Sequence, residues 1–468
     1  MEIKTKSLSS KIDGDDSFFL VSRAMRVIPA FLVGLFANVP AHALDGGQEL
    51  ELKSRAVYWH NDEFLSNGSP SNNKSLQNAL GMQLNYKSAY IADMVGFDAS
   101  GYAVAGLGTS GPQKANLLEV DNNSQLRGSY ATLGQAYVKI KKDDLFNVRI
   151  GRQLSNTLFL KSTATRAVPD TYSGVAAELV PLAGLSIYGA YFDQWRARST
   201  GDFEKFRTER TTPGSPNSID YLSVAGASYT HGPISANVEY LNAKNYLTKM
   251  GVVAAYTIPL DKNSLKLSGG VFTAHDAGSL FVCGAESEFD CSPAGARLSN
   301  DSTAYYLDAD WKLGNLTLGG AIAKFNGVWI EDNFAVNSSK TGSLTSDHGT
   351  NPFPTSASLG PDLANNGERV WSVRVTYDWK DFVSGLKTAY KYAEGAGGKK
   401  SHIVDSTTSS EHYQEVNVDY ALPFIKNLSI KYVYLDYQSS INGSGTIKGI
   451  PRTDWEQHRV YLDYAYRF

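Results

Sequence analysis

The clearest strand pattern in the sequence is Arg459-Val-Tyr-Leu-Asp-Tyr-Ala-Tyr-Arg-Phe468. Its apolar and aromatic residues occupy every second position from Val460 to Phe468, and charged, small or aromatic residues lie between them. In a β-strand, this period of two puts the two sets on opposite faces. The same alternation recurs at 371–379 and 428–434. Two interpretations follow: a sheet that lies on a core with its polar face in water, or a sheet that faces lipid and encloses a watery lumen.

The composition agrees with strands. The 468 residues include 27 Tyr, 20 Phe and 42 Gly but only 16 Pro, and 19% are charged. Aromatic residues favour strands, so the chain is expected to be all-β. A net charge of −3 excludes a strongly basic nucleic-acid-binding protein.

The spacing of the strands decides between the two interpretations. Strands are predicted near residues 50–59, 79–91, 94–104, 130–141, 145–151, 174–180, 184–193, 220–229, 234–241, 248–258, 264–274, 302–312, 315–325, 368–379, 385–393, 411–420, 427–437 and 457–468. Long connections alternate with short ones, except for the short connection 242–247. An even strand number with a long loop at every second connection is typical of a transmembrane antiparallel β-barrel, here with about 18 strands, long extracellular loops and short periplasmic turns.

The N-terminus has the pattern of an export signal. Arg23 and Arg26 precede an apolar stretch at 27–37, and Ala41-His42-Ala43 forms an A-x-A site. We therefore expect residues 1–43 to be a signal peptide, with Met25 as an alternative start, and residues 44–468 to be one barrel domain. Export also favours a disulfide between Cys283 and Cys291.

The motifs of common enzyme sites are missing or lack their context. Gly106 to Gly111 matches G-x-G-x-x-G, but Pro112 and a polar loop follow where a dinucleotide site needs a helix. The sequence contains no G-x-S-x-G, and its eight histidines lack metal-ligand spacing. We therefore expect neither an enzyme nor a bound cofactor or metal.

The charges of the predicted lumen are patterned. The alternation places basic residues inside the first five and the last five strands, which become neighbours when the barrel closes. These residues are Lys53, Arg55, Lys87, Lys139, Lys141, Arg149, Arg374, Lys387, Lys391, Lys431 and Arg459. A positive wall draws anions along a narrow pore. Inward acids such as Asp378, Glu415, Asp419 and Asp463 leave an ordinary lumen of mixed charge as the alternative.

Several stretches together resemble the outer-membrane porin D (OprD) family of substrate-specific channels. They include 55–59, 86–90, 95–99, 151–153, 165–174, 256–260 and 367–371. The resemblance implies a monomeric eighteen-stranded barrel in the outer membrane of a Gram-negative bacterium, with a ladder of basic residues that binds a substrate carboxylate. Matched by position, the ladder residues are Arg55, Arg166, Arg374, Lys391, Lys431 and Arg459. Lysine offers a point charge where arginine offers a fork, so Lys391 and Lys431 should hold a carboxylate more loosely.

The resemblance also assigns roles to two loops. Loop 152–173 would bring Arg166 into the lumen, and loop 326–367 would place the acids Glu331, Asp332 and Asp347 opposite the ladder. The long basic stripe favours monocarboxylates as substrates, moved by their gradient alone. A channel for basic amino acids and small peptides, a rim enzyme and a structural or adhesive barrel stay open as alternatives. Expected partners are outer-membrane lipid, lipopolysaccharide and the assembly machinery that recognises a terminal aromatic such as Phe468.

Overall fold

The computed structural model describes residues 47–65, 74–111, 116–120, 125–208, 218–281, 301–327, 329, 336–337, 344–345, 352–358, 360–398, 408–442 and 453–468. The predicted signal peptide at 1–43, the Cys283–Cys291 disulfide and the loop acids Glu331, Asp332 and Asp347 lie outside these residues. The strands belong to one compact unit, Leu44–Arg467.

Eighteen strands form one closed antiparallel sheet. They are β1 (Glu49–Leu65), β2 (Ser75–Lys87), β3 (Val95–Ser110), β4 (Ser129–Lys142), β5 (Phe146–Gln153), β6 (Thr171–Leu182), β7 (Leu185–Arg196), β8 (Leu222–His231), β9 (Ile234–Ala243), β10 (Leu247–Leu260), β11 (Asn263–Asp276), β12 (Ser302–Leu313), β13 (Leu316–Asn326), β14 (Arg369–Asp378), β15 (Leu386–Gly398), β16 (Thr408–Ala421), β17 (Leu428–Asn442) and β18 (Thr453–Arg467). Pairing of β1 with β18, from Glu51 opposite Arg467 to Leu65 opposite Thr453, closes the barrel.

Four two-residue strands lie in the connections and form two small hairpins. Phe206–Arg207 pairs with Ser218–Ile219, and Val336–Asn337 pairs with Leu344–Thr345. The part of the chain that the structure describes contains no helix with the length and apolar character needed to cross a membrane.

The predicted strand number and order are confirmed, and the strand ends differ by a few residues. β1 continues to Leu65 and β3 to Ser110, so the connections after them are shorter than predicted. β2 begins at Ser75 and ends at Lys87, rather than spanning 79–91. The strands run past their apolar stretches because backbone pairing, as between Asn61 and Ser75, does not require an apolar side chain.

The two faces of the sheet carry different side chains. Large apolar residues point outward and are exposed on every strand from β2 to β15, as at Leu84 (47%), Phe97 (52%), Val271 (56%) and Leu307 (63%). Such a continuous exposed apolar surface is typical of a barrel whose outer face contacts lipid. The inward positions between them carry polar and charged side chains, together with buried apolar residues such as Phe272 and Phe325. The predicted alternation of the strands is confirmed.

Two loops fold into the barrel and pack against its inner face. The first inner loop (residues 154–170) approaches β2 so closely that a Cβ at Gly81 would lie 2.3 Å from the Ala167 carbonyl oxygen. Only glycine fits at that contact. In the second inner loop (residues 352–358 and 360–364), the Phe353 ring packs edge-on against Phe325 and Phe272, at 4.8 and 5.1 Å between centroids. The buried core of the protein therefore lies within the barrel.

Candidate functional site

The predicted ladder residues of the strands lie on one wall, in four successive rows of cross-strand neighbours. Arg374 of β14 lies directly opposite Lys391 of β15 in the first row. Arg459 of β18 lies in the second row, Lys431 of β17 in the third and Arg55 of β1 in the fourth. Because each row is two residues from the next, neighbouring rows are about 7 Å apart along the strands. The inward orientation predicted for these five side chains is confirmed.

The Arg374 charge is shared with two carboxylates. Its guanidinium lies 2.8 Å from Asp308 Oδ1 and 2.6 Å from Asp310 Oδ1. Both acids belong to β12, two strands away, and the side chain reaches them across Gly319 of β13, where a Cβ would lie 2.4 Å from Arg374 Nε. One guanidinium between two acids leaves these three side chains with an excess of one negative charge.

Lys391 and its neighbours hold the second inner loop. Lys391 Nζ donates a hydrogen bond to the Ser356 carbonyl at 2.5 Å. Glu415 lies directly opposite Lys391 in β16 and accepts hydrogen bonds from Ser358 N at 2.9 Å and Ser358 Oγ at 2.5 Å. The Tyr413 hydroxyl donates to the Thr355 carbonyl at 2.6 Å. This part of the ladder therefore positions a loop as well as presenting charge.

Arg55 joins the closing strands to the first inner loop. Its Nε and Nη2 donate to the two oxygens of Asp463, at 2.5 and 2.9 Å, across the β1–β18 seam. Its Nη1 donates to the carbonyls of Ala164 and Arg166. Lys431, in the row next to that of Arg55, lies 3.7 Å from Asp419. The charges of Arg55 and Lys431 are thus also shared with inward acids.

Arginines converge where the first inner loop meets β1 and β18. The Arg166 and Arg459 guanidinium carbons lie 3.9 and 3.6 Å from the centre of the Trp59 ring. At that separation a guanidinium covers a ring face, so the two cations take opposite faces of the indole. Burial, followed by the positive charges of Arg198 and Arg459, lowers the pKa of Arg166 well below its usual value. Three guanidiniums therefore act on one another at this point, and we call them the arginine cluster (Arg166, Arg198 and Arg459).

Arg198 is a member of the cluster that sequence reasoning missed. It lies in the connection after β7 and donates from Nη1 to Thr163 Oγ1 at 2.8 Å and to Thr165 Oγ1 at 2.5 Å. Asp170, at the end of the first inner loop, accepts a hydrogen bond from Thr163 N at 2.7 Å. Burial raises the pKa of Asp170 to about 6, although the Arg198 charge opposes that shift.

A buried carboxylate fixes the other end of the first inner loop. Glu239 of β9 accepts hydrogen bonds from Leu158 N at 2.7 Å, Phe159 N at 2.8 Å and Thr157 Oγ1 at 3.0 Å. The Tyr188 hydroxyl donates to the same carboxylate at 2.8 Å. Since Arg55 holds the loop on β1 and Glu239 holds it on β9, the loop spans the lumen between two distant strands.

The arginine cluster has the chemistry to attract and orient anions, and it lies beside the loop that spans the lumen. Guanidiniums are planar donors that bind carboxylates in pairs of hydrogen bonds, and their effect is strongest where water is excluded. Sequence reasoning also missed Asp308, Asp310 and Glu239. Parity would have placed all three in the lumen, but nothing local to them indicates their partners.

Comparisons with known proteins identify the family. A family model described as outer membrane porin, OprD family, matches residues 45–468. The porin-like protein GalP of Pseudomonas putida is 24% identical over 425 residues, covering 87% of this chain and 91% of GalP. The crystal structure of Pseudomonas aeruginosa OpdK with vanillate has a TM-score of 0.71 at 19% identity, covering 90% of this chain and 99% of OpdK. The crystal structure of OccK8 (OprE) from the same bacterium has a TM-score of 0.73 at 18% identity, covering 90% of this chain and 98% of the OccK8 chain. The solved structures share the eighteen-stranded fold.

Proposed function

The chain belongs to the OprD family of outer membrane porins of Gram-negative bacteria, and on that premise we propose that it is a substrate-selective channel for small carboxylate-bearing solutes. Aromatic and other monocarboxylates are the class that we propose it carries. The solute crosses without covalent change, driven by its own gradient, and no cofactor takes part. The observation that carries this proposal is the convergence of Arg166, Arg198 and Arg459 where the first inner loop meets the wall.

The chemistry of the arginine cluster supports an aromatic acid in particular. A carboxylate is drawn towards guanidiniums, and a guanidinium plane also stacks on aromatic rings, as Arg166 does on Trp59. The OpdK structure was solved with vanillate, which carries a carboxylate on an aromatic ring. A solute of that type would use both properties of the cluster.

A second candidate is a channel for basic amino acids and small peptides. The observation in its favour is the excess of carboxylate around Arg374, where Asp308 and Asp310 both contact one guanidinium. A solute with an ammonium or guanidinium group could interact there while its carboxylate meets the arginine cluster. The predicted loop acids Glu331, Asp332 and Asp347 would add to this selectivity.

Single-channel recording tests the proposal. The full-length porin is inserted in a planar bilayer, and its current is titrated with benzoate, vanillate and arginine. We expect both acids to interrupt the current, and Arg166→Gln or Arg459→Gln to weaken that interaction about tenfold, the value of one charge-assisted hydrogen bond. Arg149→Gln is the matched control, because Arg149 lies on the inner face of β5, where it stacks over Tyr137. It should change the affinity less than about twofold.

Two results would argue against the carboxylate proposal. Interruption by arginine but not by the acids would favour the basic amino-acid channel, and Asp308→Asn should then reduce it. Equal effects of Arg149→Gln and Arg459→Gln would mean that the cluster contributes only general positive charge.

A further inference from the structure

The outer face of β11–β14 carries a groove that the transport function does not use. It has a volume of about 540 Å³ and is walled by the outward side chains Leu267, Leu307, Ile322 and Trp371. Its floor is open at Gly320, where the nearest atom to an added Cβ would be the Ser372 carbonyl oxygen at 3.5 Å. The volume is within the range of ordinary ligand sites, about 300–1,000 Å³. The walls are apolar, so the groove suits a hydrocarbon chain.

Two cations lie at the long-loop end of this groove. Lys324 of β13 and Arg369 of β14 are direct cross-strand partners, two residues beyond the Ile322–Trp371 pair and on the same outer face. Lys324 Nζ donates to the Gly367 carbonyl at 2.5 Å, which holds the ammonium at the end of the strand and leaves it further protons to donate. The Arg369 side chain is exposed.

This pairing is unfavourable unless an anion lies between the two cations. Like charges directly opposite each other destabilise a strand pair. Among the paired residues of the described strands, the other two opposed pairs of basic residues, Arg374–Lys391 and Lys139–Arg149, both face the lumen. Glu394, an acid on the same outer face, is opposite Trp371 and accepts a hydrogen bond from the Tyr392 hydroxyl at 3.4 Å.

We propose that Lys324, Arg369 and the groove form a binding site for lipid A, the phosphorylated glycolipid of the outer leaflet. A lipid A phosphate lies between the two cations, and one acyl chain lies in the groove. Strands rise about 3.3 Å per residue, so the groove begins about 7 Å below the cations, in the direction in which the acyl chains extend. Exposed Trp371 (43%) and Tyr305 (46%) flank the site, as aromatic residues do at the level of lipid headgroups. Basic pockets on membrane proteins commonly bind phosphorylated headgroups.

Native mass spectrometry of the full-length porin in detergent tests the site. The probe is bis-phosphorylated, hexa-acylated lipid A, titrated against the wild type and against Lys324→Gln/Arg369→Gln. We expect the double variant to bind at least about tenfold more weakly, because it loses two charge-assisted contacts to phosphate. The matched control is Lys380→Gln/Lys426→Gln, which removes the same charge from two exposed residues in the short turns. It should bind within about twofold of the wild type.

The groove and the phosphate are tested separately. Gly320→Leu fills the groove and should weaken binding of the intact lipid at least about threefold, provided that the folded, heat-modifiable band is as abundant as in the wild type. Lipid A without phosphates should bind the wild type no better than it binds the double glutamine variant. Equal binding by wild type and double variant would overturn the proposal, whether or not Gly320→Leu folds. Equally tight binding of phosphatidylglycerol at the same residues would overturn the assignment to lipid A.

Discussion

Arg374 illustrates how a basic residue on the pore wall differs from one that is available to a solute. Its guanidinium is 2.8 Å from Asp308 and 2.6 Å from Asp310. A cation that already serves two carboxylates attracts an external anion weakly, because the field of the three groups together is negative. The same reasoning makes Arg55, which binds both oxygens of Asp463, chiefly a link between β1 and β18.

The sharing of the Arg374 charge predicts opposite effects for removing its two acids and for removing the arginine itself. Asp308→Asn/Asp310→Asn should raise anion selectivity and strengthen carboxylate binding about three- to tenfold, because Arg374 is then uncompensated. Arg374→Gln should lower anion selectivity by uncovering both acids. The triple variant loses two negative charges and one positive charge, so its selectivity should lie between the wild type and the double asparagine variant. Reversal potentials in a KCl gradient measure these changes. A decrease in anion selectivity in the double asparagine variant would contradict the account.

We expect Asp170 to make the anion selectivity of the pore depend on pH. Burial raises its pKa to about 6 from an ordinary 3.8. Above pH 6 the group is a carboxylate and offsets part of the Arg198 charge, and below pH 6 it is neutral. Anion selectivity should therefore increase as the pH falls from 7 to 5. In Asp170→Asn the selectivity should stay at its low-pH level throughout, and an unchanged pH response in that variant would exclude Asp170 as the cause.

The first inner loop depends on hydrogen bonds at its two ends. Glu239 accepts from the buried backbone N–H groups of Leu158 and Phe159. Removing the carboxylate leaves these donors unpaired, at a cost of about 1–3 kcal/mol each. These two N–H groups take no part in the pairing of the barrel strands. The loop should therefore loosen while the barrel stays folded.

Glu239→Ala should therefore accelerate hydrogen exchange at Leu158 and Phe159 about tenfold or more and increase the current noise of single channels. Glu239→Gln retains one acceptor oxygen and should have a smaller effect. The control is Glu178→Ala, because Glu178 accepts from Asn147 at 2.9 Å and Ser186 at 2.5 Å on neighbouring strands. Equal noise in the Glu178 and Glu239 variants would show that the loop is held elsewhere.

The sequence was sufficient to predict the strands of the barrel wall but not the contacts that their side chains and the inner loops make inside it. Eighteen strands and the orientation of Arg374, Lys391, Lys431 and Arg459 follow from a period of two, because alternation is a local property of each strand. The contact of Arg374 with Asp308 is not local: it depends on β12 and β14 both flanking β13 and on Gly319 lacking a side chain.

The contacts of the loops could not be predicted from the sequence for the same reason. Arg198 lies in a connection without periodicity, and only folding brings its guanidinium to Thr163 and Thr165. The resemblance to the family indicated that loop 152–173 turns inward with Arg166. The tethers that hold it there, Glu239 and Arg55, come from strands distant in sequence, so the loop's own residues do not identify them.

The roles of the barrel wall and of the first inner loop can therefore be tested separately. Gln153 and Tyr172 are direct cross-strand partners, so a short Gly-Ser linker can replace residues 155–169 without altering the β5–β6 ladder. The barrel should still close through β1 and β18, because that pairing involves strand residues alone. Since eighteen-stranded barrels enclose an aqueous channel when unobstructed, the conductance should rise at least about twofold. Block by benzoate should be lost, because the linker removes Arg166 and the two threonines that orient Arg198. Arg166→Gln is the necessary comparison: it should weaken the block without raising the conductance. An unchanged conductance after loop replacement would place the narrowest part of the pore outside the first inner loop.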